Sequence, residues 1–104
     1  MTFLREGGTP VVRTYTVNPT SRMNVFAGAI PDLVNQSFSI LVSATAPIIA
    51  ERAMYFGSPT FNGGHETAGV TTPSQTWFHA EGATGAFFDT YILVGNPNAT
   101  PATV

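Results

Sequence analysis

Apolar residues in this chain come in short runs cut by Gly, Pro and Asn, and the three-to-four spacing of a helix face is almost nowhere sustained. Runs rich in Val, Ile, Thr, Tyr and Phe between turn-forming clusters predict strands. The first covers 2–5, followed by the turn Glu6-Gly7-Gly8-Thr9-Pro10. A second covers 11–17, with Val12, Thr14 and Thr16 on one face and Val11, Arg13, Tyr15 and Val17 on the other. After the turn Asn18-Pro19-Thr20, a third covers 21–27, and 28–33 reads as a loop with room for one short helical turn. Segments 37–44 and 47–56, joined through Thr45-Ala46, read as an antiparallel pair. Positions 57–64 read as loop, 66–72 are ambiguous, and 75–81 read as a strand. The most apolar run, 88–95, is expected in the middle of a sheet, and Asn96-Pro97-Asn98 turns the chain after it.

About seven or eight short strands with frequent turns describe an all-β fold, an antiparallel β-sandwich of immunoglobulin-like type. A closed barrel solves the same pattern. The length of 104 residues predicts a single domain, 1–104.

Composition narrows the function classes. Charged residues make up only 10% of the chain, with four arginines and no lysine, and the net charge is -2. Four scattered arginines supply no basic stripe, so nucleic acid is not an expected partner. No uninterrupted apolar run approaches the ~20 residues of a membrane span, so no membrane insertion is expected. The chain has no cysteine, hence no disulfide and no thiolate metal site. A Thr-, Asn- and Gly-rich surface without lysine leans towards an extracellular setting.

The stretch 48–57 holds the adjacent pair Glu51-Arg52 between apolar runs. If one of these charges lies against a core, it must be paired. Arg22, Glu51, Arg52 and Glu81 are therefore expected to form an internal clamp. The segment Pro101-Ala102-Thr103-Val104, read on into Thr2-Phe3-Leu4-Arg5, makes one amphipathic strand. This leads to the expectation that the chain is one period of a repeat. Thr2, Phe3, Leu4, Arg5, Ala102, Thr103 and Val104 would then form an assembly interface, by strand addition between copies.

Several motifs carry a resemblance. They are Pro47-Ile48-Ile49-Ala50-Glu51-Arg52-Ala53-Met54-Tyr55, Gly64-His65-Glu66-Thr67-Ala68-Gly69-Val70, Trp77-Phe78-His79-Ala80-Glu81-Gly82-Ala83-Thr84-Gly85 and Phe88-Asp89-Thr90-Tyr91-Ile92-Leu93-Val94-Gly95-Asn96-Pro97-Asn98. With Ser21-Arg22 and Glu6-Gly7-Gly8, the chain resembles a family of bacterial extracellular immunoglobulin-like β-sandwich repeat domains. The resemblance implies tandem modules at a cell surface and assigns no activity. The departure is that this chain holds a single period.

Candidate chemistry is sparse. Glu51, Glu81 and Asp89 could form a carboxylate cluster for acid–base work, but bridging by Arg52 or Arg22 is the favoured reading. His65, His79, Glu66 and Glu81 are a conceivable zinc set without zinc spacing, so no metal is expected. Asp89, Asn96 and Asn98 offer oxygen to calcium but lack a second carboxylate. Trp77 is expected between sheets, while Phe61 and Phe87, both in loops, are candidates for contact with a partner. No Gly-x-Ser-x-Gly elbow is present. The expected function is a non-enzymatic structural module of an extracellular or cell-surface assembly, joining copies head-to-tail into a fibre or stalk, with no cofactor. A carbohydrate- or surface-binding module and a hydrolase using Glu81 and Asp89 are the alternatives, with surface glycans the partner of the former.

Overall fold

In the computed structural model, which describes residues 1–58, 61–86 and 88–104, the regular structure is all β apart from two single 3-10 turns. Among the described residues there are five strands: β1 (Thr2–Arg5), β2 (Val11–Val12), β3 (Phe38–Leu41), β4 (Glu51–Ser58) and β5 (Phe61–Ala68). They form a three-stranded sheet in the order β2–β1–β3 and a two-stranded ribbon β4–β5, both antiparallel. Contacts group the chain into two units, one of residues 1–43 with 92–104 and one of residues 44–91.

In the first unit β1 is the central strand. Phe3 sits opposite Val11 on one side and Ile40 on the other. The ladder runs past the strand ends. The Met1 amino group donates to the Arg13 carbonyl (2.8 Å), the Arg13 amide returns the bond to Met1 (2.9 Å), and the Glu6 amide donates to the Ser37 carbonyl (2.9 Å). Alternation along β1 sends Phe3 inward, where it is 1% exposed. It meets Val11, Ile30 and Leu33 as the buried core, with Met1, Val25, Ala27 and Phe38 packed around them. The Phe3 and Phe38 rings meet edge to face at 5.6 Å between centroids, the geometry an aromatic quadrupole favours. Burying a side chain of this size contributes about 1.5–3 kcal/mol.

Ile30 and Leu33 reach that core because the chain tightens into 3-10 turns at Ala27–Ala29 and Pro31–Leu33. Pro31 opens the second of these, where its fixed φ suits the turn and its missing amide is not needed. Gly7 turns the chain between β1 and β2 at φ 67, a conformation glycine adopts freely. The helical turn expected within 28–33 is thus present, as two consecutive 3-10 turns.

Other expectations are corrected. The strand expected at 11–17 ends at Val12, and none forms at 21–27, 75–81 or 88–95. At 88–95 strand-favouring residues find no neighbouring edge to pair with. Tyr91, Ile92, Leu93 and Val94 are all exposed, and the run joins no ladder, although Gly95 passes so close to Ser39 that a Cβ there would lie 2.8 Å from its hydroxyl oxygen. The expected pairing of 37–44 with 47–56 is also replaced: β3 pairs with β1, and β4 pairs with β5. The supposed loop at 57–64 instead supplies the start of β5, from Phe61 onward.

In the second unit β4 and β5 run in register from Glu51↔Ala68 to Ser58↔Phe61. None of the described residues in 44–91 is buried. Among the described residues no helix is long and apolar enough to cross a membrane.

Candidate functional site

In the first unit, Arg5 is a tie rather than a free interface residue. Its Nε donates to the Thr9 carbonyl (2.9 Å), its Nη2 to the Thr9 hydroxyl (3.2 Å) and its Nη1 to the Asp32 carbonyl (3.3 Å). Arg13 completes the arrangement with a 2.9 Å ion pair to the Asp32 carboxylate, the one ion pair among the described residues. Two arginines therefore fasten the β1–β2 turn and the Pro31–Leu33 turn to each other. Sequence reasoning assigned this role to Arg22 and Arg52 instead. The contacts from Arg13 and Arg5 to residue 32 span 19 and 27 positions, and no local pattern signals them.

Within the second unit Glu51, Arg52 and Glu81 form no clamp among the described residues, and Arg22 belongs to the first unit. Arg22 donates to the Asn24 side chain two residues away (3.2 Å). Glu51 and Glu81 are exposed and in no ion pair among the described residues. Arg52 is half-buried and faces along the ribbon, with Nη2 2.9 Å from His65 Nδ1 and Nη1 3.6 Å from Met54 Sδ. A guanidinium can only donate, so Nδ1 of His65 accepts and the ring proton of the neutral tautomer sits on Nε2. Glu51 cannot join Arg52, because successive strand residues project to opposite faces.

The register sorts the ribbon by charge. Arg52 and Met54 share one face with His65 and Thr67, their cross-strand partners. Glu51, Ala53 and Tyr55 share the other with Ala68, Glu66 and Gly64. The ring of Tyr55 lies across Gly64, where an added Cβ would meet it at 3.2 Å. One face is thus cationic and the other carries two carboxylates and an exposed tyrosine.

The terminal residues divide. Thr2, Phe3, Leu4 and Arg5 are held between β2 and β3, so both edges of β1 are occupied. Ala102, Thr103 and Val104 are exposed and in no strand. The Phe61 side chain and Phe87 lie outside the described residues. Trp77, expected inside, is 53% exposed beside Phe78 at 93%, and its Nε1 donates to the Ser74 carbonyl (3.0 Å).

His65 and Glu66 project from opposite faces of β5, and among the described residues no three His, Asp or Glu come together as a metal would require. Asn96 turns its amide inward on its own loop, donating to the Thr100 carbonyl (2.8 Å) and accepting from the Asn98 amide (3.0 Å). Next to Asp89, the Thr90 hydroxyl accepts from the Ala83 amide and donates to the Ala83 carbonyl.

No family model, no curated protein and no solved structure matches this chain.

Proposed function

We propose that the chain is a structural module of an extracellular or cell-surface bacterial assembly, in which copies join head-to-tail into a fibre or stalk. The observation that carries this reading is the ribbon β4–β5, none of whose described residues is buried. A two-stranded ribbon is marginal in water until something covers it. Exposed apolar side chains around it, Ile48, Ile49, Tyr55 and Val70 among them, add to the surface that association would cover. In this reading an immunoglobulin-like sandwich is completed between copies. Strand completion cannot use β1, which has neighbours on both sides, and falls instead to the outer edge of β3. Ile92, Leu93 and Val94, exposed and strand-favouring, supply a matching segment together with Ala102–104. The reading requires no catalysis and no cofactor. The resemblance to surface repeat domains points the same way.

Sedimentation velocity over a concentration series, followed by electron microscopy of the particles, tests it. Species that grow with concentration and extended particles are expected. A strict monomer at the highest soluble concentration overturns it.

A second reading has its own observation. Trp77 and Phe78 are exposed side by side, and an indole fixed by its N–H presents a face on which a sugar ring can stack. Glycan-array binding lost in Trp77→Ala would favour an adhesion module.

A further inference from the structure

We infer that the ribbon β4–β5 is covered by the same ribbon of a second copy, stacked face to face, with the Arg52 and His65 face of one copy on the Glu51 and Glu66 face of the next. This deepens the assembly reading above and rests on it. The register puts Arg52 and His65 on one side and Glu51 and Glu66 on the other, so each ribbon carries both halves of a complementary pair. The contact is heterologous: the two surfaces that meet are different, each copy offers one of each, and the stack can continue.

Charge also discriminates against the other obvious mode, antiparallel edge-to-edge addition. The Gly69 amide donates to the Ala50 carbonyl (3.4 Å), extending the ladder one pair beyond Glu51↔Ala68. Hydrogen-bonded pairs alternate with open ones in an antiparallel ladder. The backbone groups of Glu51, Ala53 and Tyr55 on β4, and of Gly64, Glu66 and Ala68 on β5, therefore point outward and are those a new strand would use. Antiparallel addition keeps like faces on the same side, which gathers Glu51 with Glu66 of the neighbour. Like charges across a ladder are destabilising. Face-to-face stacking replaces that repulsion with Arg52 of one copy against Glu51 and Glu66 of the next, and places Met54 of one copy and the Tyr55 ring of the other in the covered layer. Sheets packed in this way lie about 10 Å apart, which these side chains can span.

The test uses the full chain and two charge reversals at exposed or half-exposed ribbon positions, Glu66→Arg and Arg52→Glu, with far-UV circular dichroism confirming that each retains the β signal. Glu66→Arg offsets the remaining Glu51 charge and leaves one face cationic and the other neutral, whereas Arg52→Glu leaves both faces anionic. Each variant alone is expected to associate at least about fivefold more weakly than the parent chain. An equimolar mixture of the two is expected to recover association, because opposite faces meet again. Raising salt from about 0.05 to about 0.5 M is expected to weaken the parent chain's association. The inference is overturned if Glu66→Arg strengthens association, as edge addition predicts, or if the variants and their mixture all match the parent. Those outcomes leave the assembly reading standing, whereas a parent chain that never associates removes both.

Discussion

The two sheets of this molecule are built from similar residues and end in different conditions. The β2–β1–β3 sheet closes over Phe3, Val11, Ile30 and Leu33, while the β4–β5 ribbon, with twice the strand length, buries none of its described residues. The longer ladder pairs more residues, yet none of its described residues is buried. Backbone hydrogen bonds largely exchange water partners for protein ones, so their net contribution is small. Burial of apolar area is what favours the folded chain. The first unit has this because two 3-10 turns bring Ile30 and Leu33 under the strand; the ribbon has nothing of the kind.

The contrast can be broken most directly by amide hydrogen exchange. In dilute solution the amides of β1 and β3 are expected to exchange roughly a thousandfold or more slower than those of β4 and β5, which open locally at little cost. Equal protection in a dilute monomer would remove the distinction. At high concentration the ribbon amides should slow if copies cover them.

Truncation of the core comes next. Phe3→Ala is expected to lower stability by about 3–5 kcal/mol, read from the denaturant midpoint. Met54→Ala, on the exposed ribbon, should change the monomer by less than ~0.5 kcal/mol. A comparable loss at Met54 would mean that the ribbon has a hidden core.

Backbone strain gives a smaller effect with the opposite sign. Thr20 sits at φ 53, a left-handed conformation that a β-branched residue adopts at a cost. Thr20→Asn is expected to raise stability by about 1 kcal/mol, visible as an increase in melting temperature. A loss would show that its hydroxyl, which donates to the Pro19 carbonyl at 2.8 Å, matters more than the strain.

The smallest effect belongs to the charges. Arg52→Ala is expected to cost under ~1 kcal/mol in the monomer, and Arg13→Gln a similar amount, since neither side chain is buried. A loss of several kcal/mol at Arg52 would restore the buried clamp that its neighbourhood in the sequence suggested. Thermal unfolding of both variants at low and high salt separates the cases.

What the sequence made legible follows from range. β1 was readable to the residue, because Thr2-Phe3-Leu4-Arg5 is a local run closed by a glycine turn. The turn at Pro31 was readable for the same reason. The partner of each strand was not: β3 reaches back to β1 across more than thirty positions, while β4 finds β5 next in line. Composition alone could not distinguish these. The run 88–95 shows the limit most plainly, since its residues favour a strand and only a neighbouring edge can make it one. At the candidate surfaces, the pair Glu51-Arg52 stood out correctly as unusual. Its meaning depended on alternation, which sends the two charges to opposite faces and turns an expected bond into a division of sign.

Trp77 is the chain's single tryptophan, and its half-exposed indole gives the molecule an optical label that needs no chemistry. Emission from a wet indole lies to the red, and any covering of residues 74–78 would move it to the blue. A titration followed by intrinsic fluorescence, with an iodide quencher alongside, would report contact at that spot in real time, whether the visitor is a sugar or another subunit.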